Sequence, residues 1–466
     1  MNAPRLEHYD AIVIGSGQGG KPLSIALAKA GWNTAIVESG SVGGTCINTG
    51  CTPSKTLIAS ARVAYLADRA ASFGVDTGPV TADLEKVQQR KRVVVDQFRD
   101  GVMQALSNTP NLTLVPGEAS FTNIYSLQVR MHSDEIRHLT AEKIFINTGG
   151  RPFVPELSGL SNVPFLDSTS AMELEELPEH LLILGGSYVS VELGQMFRRL
   201  GSRVSIIERA TYLLSHEDPD VGASITSIMR EEGIQVFLQT LAIEVSKNSG
   251  GGINLKVRTP NGERPINGSH LLVVMGRVPN TAALNLRAAG VAADERGYIR
   301  VNSKLETNIA GIYALGDVKG GPAFTHIAYD DFRIIRANLL ENAQMETTAR
   351  ILPYTVFIDP QLGRVGLTET QARKQGKNIR VAVLPMSRVA RAIEASDTRG
   401  FMKAIVDADS GQILGAAVLG SEGGEVMSML QLAMMGKMPY TLLRDAIFAH
   451  PTWAESLNNL FMTLDD

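Results

Sequence analysis

The chain is poor in cysteine, with two among 466 residues, Cys46 and Cys51. That excludes a disulfide-stapled secreted scaffold and a zinc site built from four cysteines. Neither sign of charge dominates: 44 Lys+Arg stand against 48 Asp+Glu, a net of −4, so nothing marks a nucleic-acid binder or asks for an anionic partner. Long hydrophobic runs are also missing, since none approaches the ~20 residues that a membrane-spanning helix needs. No membrane partner is expected. The opening segment Met1–Asp10 carries no basic stretch leading into an apolar signal region, and Ala11-Ile12-Val13-Ile14 after it is too short for one. A cytoplasmic location is the expectation. What the chain does have is size and glycine. At roughly 150 residues per domain its length predicts about three domains, and its 44 glycines lie somewhat above an average usage of about 7%.

Many of those glycines fall in turns. Tyr9 to Gly15 reads as a short buried strand that runs into Gly15-Ser16-Gly17-Gln18-Gly19-Gly20, followed by a helical stretch from Lys21 to Ala30 and a strand Thr34–Glu38. This is a βαβ unit. Gly15 permits the tight turn, Gly17 lets the backbone approach a pyrophosphate, and Gly20 lets helix and strand pack closely; the helix N-terminus offers N–H groups to the phosphates. Glu38, 18 residues beyond Gly20, is placed to accept hydrogen bonds from a ribose.

The pattern returns about 170 residues later, with Leu181 to Gly185, Gly186, Ser187, Tyr188, Val189 and Ser190, a helical stretch through Leu200, and Arg203 to Glu208. Ser187 and Ser190 replace the second and third glycines, which makes backbone approach to a pyrophosphate less free. Two such units predict two dinucleotides, a flavin and a nicotinamide, one held and one exchanging. Glu208 favours a free ribose 2′-hydroxyl and hence NAD(H) over NADP(H), a preference that Arg209 beside it moderates.

After about residue 350 the pattern changes to strands at Pro353–Asp359, Val381–Leu384, Phe401–Asp407 and Ile413–Leu419, with helical stretches at about 422–436 and 454–463. This reads as a separate α+β domain. The methionines Met427, Met429, Met434, Met435 and Met438 recur at helical spacing, which reads as core or subunit interface rather than a soft-metal site.

Both cysteines lie in Gly43-Gly44-Thr45-Cys46 through Gly50-Cys51-Thr52-Pro53-Ser54-Lys55, just after the first βαβ unit. A structural disulfide across so short a loop would restrict little of the unfolded chain's entropy. Near a flavin the pair can instead cycle between disulfide and dithiol, and a nearby lysine and helix N-terminus would lower the pKa of one thiol.

This segment resembles the redox-active signature of the class I flavin-dependent pyridine nucleotide-disulfide oxidoreductases, the family of glutathione reductase, dihydrolipoamide dehydrogenase and mercuric reductase. The likeness covers nearly the whole chain: both fingerprints in order, Asn147-Thr148-Gly149-Gly150-Arg151, Gly276 to Asn280, Gly311 to Asp317, and His450-Pro451-Thr452-Trp453-Ala454-Glu455. The resemblance implies an α/β fold of two Rossmann-like domains and a C-terminal α+β dimerisation domain. Its expected boundaries are 1–150 with 279–350 for FAD, 151–278 for NAD(P) and 351–466 for dimerisation. It implies that Cys51 is the flavin-proximal, charge-transfer thiol and that Cys46 is the interchange thiol. Lys55 would lie near the flavin and pair with Glu192. Asp317 would bind ribityl hydroxyls, and the turn at Phe324-Thr325-His326-Ile327 would start a helix facing the flavin's N1–C2 edge. Gly44, Thr45, Thr148 and Gly149 would complete the FAD site, and Gly276 the NAD(P) site.

Alone, His450-Pro451 is an ordinary turn. The family gives it another reading, in which Glu455 orients the His450 imidazole as acid and base for the interchange thiol of the other subunit. A homodimer with a shared active site follows from that resemblance.

Departures narrow the branch. Mercuric reductases proper carry a C-terminal cysteine pair and an N-terminal metal-binding domain, whereas this chain ends Phe461 to Asp466 without cysteine. Where dihydrolipoamide dehydrogenase usually has a histidine two positions before His450, this chain has Phe448. The second fingerprint and the ending Ile447 to Phe461 are most similar to the mercuric-reductase-like group that includes the reactive-chlorine resistance flavoprotein. The expected function is FAD-dependent transfer of electrons from NAD(P)H through Cys46–Cys51 to a disulfide, or in reverse from a dithiol such as dihydrolipoamide. Reduction of a soft or redox-active metal ion is the alternative, with no resident metal expected, and a low-turnover redox sensor is the reading from another class.

Overall fold

The computed structural model describes residues 6–248 and 250–465. The first five residues of the Met1–Asp10 segment and the last of the Phe461–Asp466 ending lie outside that range. By compactness the chain divides into two units. The first comprises residues 6–57, 85–154 and 276–350, and the second residues 58–84, 155–275 and 351–465.

In the first unit, strand β1 (Leu6–Ile14) leads through helix α1 (Gly20–Lys29) to β2 (Thr34–Glu38), as the hydrophobic pattern predicts. Helices α2 (Gly44–Asn48) and α3 (Cys51–Asp68) follow, then the 24-residue helix α4 (Leu84–Ser107) and strands β3 (Leu112–Asn123), β4 (Ser126–Met131) and β5 (Ile136–Ile146). β1 is flanked by parallel partners on both sides, with Ile12 opposite Ala35 of β2 and Ile144 of β5. The short strand Ile312–Ala314 extends the sheet beyond β5. A strand covered on both faces must be apolar at every position, and β1 is so over Ala11–Ile14, after a more polar start from Leu6 to Asp10. Ile12 and Ile14 pack into one cluster with Phe121 and Leu139, while Ala11 and Val13 pack into another with Leu23, Leu27 and Phe145. The crossover from β1 to β2 leaves one way and the pairing with β5 lies the other, so the C-terminal end of β1 is a topological switch point, where such sheets open a crevice for a ligand.

The second unit holds a four-stranded parallel sheet in the order His270–Val273, His180–Leu184, Arg203–Ile207, Gln235–Phe237. The helix Tyr188–Leu200 makes the crossover. A three-stranded antiparallel sheet spans Leu241–Lys247, Ile253–Thr259 and Gly262–Gly268. The same unit carries a five-stranded antiparallel sheet in the order Pro353–Val356, Gln361–Gly366, Ile413–Gly420, Phe401–Asp407, Ile379–Pro385. The helices Gly423–Met435 and Ser456–Met462 accompany it. Met427 is buried there and Met429, Met434 and Met438 pack against the same core, so this run is mainly core; Met435 is exposed. No helix among the described residues is long and apolar enough to cross a membrane.

Candidate active site

The first glycine turn is built as a backbone cradle. Gly15 has φ +101°, and a Cβ there would meet the Asn147 carbonyl oxygen at 2.4 Å; a Cβ on Gly20 would meet the Gly15 oxygen at 2.1 Å. Only glycine fits either place. Gly17 faces the Asn147 side chain, and a Cβ on Gly44 would strike the Gly17 Cα at 2.7 Å, so the segment leading to the cysteines passes directly over the turn. Glu38 ends β2 beside it and accepts from the Ser16 N–H at 2.8 Å, the Ser16 hydroxyl at 2.6 Å and the Gly40 N–H at 2.9 Å. Its carboxylate therefore stands against the turn.

Two residues whose parts the sequence pattern does not disclose hold this cradle. The buried Asn147 accepts from the Gly20 N–H at 2.8 Å and donates to the Leu315 carbonyl at 2.8 Å, tying the helix start to the segment before Asp317. Ser16 accepts from the Gly43 N–H at 3.0 Å. Asn147 lies within the quoted family motif, yet its bond to Gly20 spans 127 positions and no local pattern signals it.

Elsewhere in the unit, Thr148 donates to the Asn280 carbonyl at 2.8 Å, next to Gly149 at φ +66°. Asp317 follows the strand Ile312–Ala314. Burial raises its pKa, with Arg277 and Lys319 acting the other way, and Arg277 Nε lies 3.9 Å from its carboxylate. The helix Thr325–Leu340 begins just after, with Phe324 and His326 stacked at 5.3 Å.

The cysteines sit on consecutive helices, Cys46 in α2 and Cys51 at the first position of α3, with Thr45 beside Cys46. Cys46 is half-buried and Cys51 exposed. Cys51 Sγ lies 3.4 Å from the Thr325 hydroxyl. Cys51 and the Thr325 side chain both lie near enough to act on the ionisation of Cys46. The neighbouring Cys51 thiol, and after it burial, push the Cys46 thiol well above its ordinary pKa, and Thr325 and Lys55 only partly offset this. The lowering expected for one thiol of the pair therefore does not fall on Cys46. Lys55 is half-buried one turn along α3 from Cys51.

In the second unit the turn repeats with changes. Gly185 has φ +110°, and a Cβ there would meet the Val274 oxygen at 2.7 Å. Gly186 stands where the first turn has Ser16, and a Cβ on it would strike Glu208 Oε2 at 2.7 Å. Glu208 also accepts from the Ala210 N–H at 2.7 Å. Ser187 precedes the helix that Tyr188 and Val189 begin, without capping it through its side chain. Ser190 is buried there, its hydroxyl lacking a hydrogen-bond partner among the described residues. Glu192 is buried on the same helix and accepts from the Phe357 N–H at 2.8 Å. Gly276 has φ +130°.

Near the C-terminus, His450 Nδ1 lies 2.9 and 3.0 Å from the two Glu455 oxygens. The Glu455 backbone is fixed in turn by the Thr452 hydroxyl at 3.2 Å. The imidazole is largely exposed, with 68% of its side-chain surface open.

A pyridine nucleotide-disulphide oxidoreductase family model matches residues 9–331, and the model of that family's dimerisation domain matches residues 352–461. The chain belongs to this family. Probable pyridine nucleotide-disulfide oxidoreductase RclA of Escherichia coli is 39% identical over 460 residues, covering 98% of this chain and 99% of the relative. A mercuric reductase of Staphylococcus aureus is 34% identical over 457 residues, covering 98% of this chain and 82% of the relative. Among solved structures, the Cu(II) complex of HOCl-induced flavoprotein disulfide reductase RclA from Escherichia coli aligns with a TM-score of 0.89 at 39% identity, over 98% of this chain and 99% of that one.

As a family member the chain is an α/β flavoprotein disulfide oxidoreductase that uses FAD and a pyridine nucleotide. The residues present fit the flavin nucleotide: two glycines leave no room for a side chain at the end of β1, and a carboxylate flanks them. Its dimerisation domain points to a homodimer.

Proposed function

We propose that the protein takes electrons from NADH and passes them through FAD and the Cys46–Cys51 pair to a small-molecule disulfide. The observation that carries this reading is the pair itself, two cysteines on consecutive helices beside the first glycine turn, with Cys51 at the first position of the second helix. The expected division into an FAD-binding domain (1–150 with 279–350), an NAD(P)-binding domain (151–278) and a dimerisation domain (351–466) is part of the proposal. So are the site assignments and a homodimer that shares its active sites.

Bound FAD supplies two-electron transfer between the nicotinamide and sulfur. Gly15, Gly17, Gly20, Glu38, Gly44, Thr45, Thr148, Gly149, Asp317 and His326 would hold it. Gly185, Gly186, Ser187, Tyr188, Val189, Glu192, Glu208 and Gly276 would receive the nicotinamide nucleotide. Lys55, paired with Glu192, would favour negative charge at the reduced flavin.

Cys46 is held protonated at neutral pH by its raised pKa, so attack on a substrate disulfide needs a base. His450 serves, since Glu455 occupies Nδ1 and leaves Nε2 to take the Cys46 proton; the residue belongs to the second copy of the chain. Cys46 Sγ then bonds to one substrate sulfur as the substrate S–S bond breaks, and the departing thiolate takes the proton back from the imidazole. Cys51 thiolate next attacks the Cys46 sulfur of the mixed disulfide. This releases the second thiolate and re-forms the Cys46–Cys51 disulfide. In reverse, the same steps oxidise a dithiol such as dihydrolipoamide.

A second reading, in which the dithiol or the flavin reduces a soft or redox-active metal ion as substrate, is favoured by the solved Cu(II) complex of RclA. Steady-state NADH consumption by purified, flavin-loaded protein across a panel of disulfides, lipoamide, quinones and metal ions separates the two. The first reading predicts that a small disulfide accelerates consumption most. Fastest turnover with a metal ion would replace it with the second reading, and slow turnover with every acceptor would make the protein a redox sensor.

The coenzyme assignment rests on Glu208, whose carboxylate stands over Gly186 where an adenosine ribose would lie. It accepts from a 2′-hydroxyl and repels a 2′-phosphate. Removing a charged hydrogen-bond acceptor of this kind predicts that Glu208→Ala raises the NADH KM about tenfold and lowers that for NADPH. An unchanged NADH KM in steady-state assays would overturn the assignment.

A further inference from the structure

The Thr325 hydroxyl faces both sulfurs. Its Oγ1 lies 3.4 Å from Cys51 Sγ, and the same side chain is near enough to act on the ionisation of Cys46. A hydroxyl has one proton to donate and two lone pairs with which to accept. It can therefore donate to only one of two neighbouring sulfurs at a time. Thr325 is also the first residue of a 16-residue helix, and the N-terminus of such a helix favours negative charge beside it. Two thiols this close do not both ionise near neutral pH, because the second anion would face the first. The reduced pair thus holds a single negative charge that must sit on one sulfur or the other. Burial disfavours it on Cys46, which is half-buried.

We propose that Thr325 is the positioning residue that places this charge, its hydroxyl donating to Cys51 and so leaving the remaining proton on Cys46. The consequence is a division of labour between the sulfurs. Cys51 stays anionic and ready to close the disulfide, and Cys46 stays protonated until the histidine takes its proton. Neither the family match nor the sequence pattern assigns this part to the residue. It rests on the reading of Cys51 as the flavin-proximal thiol.

The test uses the flavin-loaded protein reduced anaerobically by two electrons, with Thr325→Val and Thr325→Ser beside the wild type. The long-wavelength absorption that a thiolate produces next to oxidised flavin is followed against pH, and its midpoint reports ionisation at Cys51. Valine keeps the shape and removes the donor, and loss of a hydrogen bond to a charged sulfur raises the midpoint by about one to two pH units. Serine restores the wild-type midpoint, which a purely structural role for the threonine methyl would not do.

A valine variant that titrates like the wild type overturns the proposal alone. A wild type without the absorption at any pH overturns both it and the reading of Cys51 on which it stands. The share of iodoacetamide label on Cys46 relative to Cys51, measured by mass spectrometry in the same flavin state, gives a second readout should the valine variant lose its flavin. The proposal expects label to move toward Cys46 in that variant, and an unchanged ratio contradicts it.

Discussion

Cys46→Ser is expected to lower kcat/KM for a disulfide acceptor by at least about a thousandfold, the scale on which a covalent nucleophile is lost. A serine oxygen cannot form the mixed disulfide, so the exchange stops at its first step. Reduction of the flavin by NADH uses neither sulfur and should persist. Stopped-flow measurement of flavin reduction beside steady-state turnover separates the two half-reactions. Loss of both would mean a protein damaged as a whole, and undiminished disulfide turnover would remove the thiol mechanism. The same variant divides the two acceptor readings further, because a metal ion that takes electrons directly from the flavin would still be reduced.

His450→Ala should cost about a hundredfold to ten-thousandfold in disulfide turnover at pH 7, the usual range for removing a general acid–base. The direction with pH follows from the Cys46 thiol. Its neighbour Cys51 and burial hold its pKa high, so at neutral pH the protonated form dominates and the variant has nothing to remove that proton. As pH rises toward the raised value, solvent increasingly supplies the thiolate. The gap between variant and wild type should therefore narrow from pH 7 to pH 10 in a kcat/KM profile. A gap that is constant or widens would assign the histidine a binding role. Glu455→Gln should show a smaller loss of the same shape, since it leaves the imidazole in place and weakens only its orientation at Nδ1.

Much of the architecture is legible in the sequence where a strand is buried on both faces or a helix repeats its apolar face. Thr34–Glu38 and Phe401–Asp407 agree with the observed strands residue for residue. The strand Gln361–Gly366 does not announce itself, because two glycines interrupt it and Arg364 sits in its interior. That guanidinium is buried, donating to the Val365 and Ala416 carbonyls and pairing with Glu217 at 3.2 Å. A buried charge whose counter-ion lies far along the chain looks like a loop residue when only its neighbours are read. Helix α4 escapes for a different reason: it is largely polar, and Val93 and Phe98 are exposed on it, which blurs a single apolar stripe.

The same divide runs through the site. Glycines and cysteines declare themselves because backbone conformation and thiol chemistry restrict which residue can serve. Asn147 and Thr325 act through side chains that meet partners 127 and 274 positions away. Their place in a motif is visible, but what they touch is not.

The central claim is that flavin and Cys46–Cys51 form one redox centre, and an anaerobic reductive titration tests it most directly. A disulfide takes two electrons and a flavin two more. The wild type should accept about four electrons per bound FAD and Cys46→Ser about two, with the two-electron wild type showing the thiolate absorption. A wild type that accepts only about two electrons per FAD, indistinguishable from Cys46→Ser, would contradict the account.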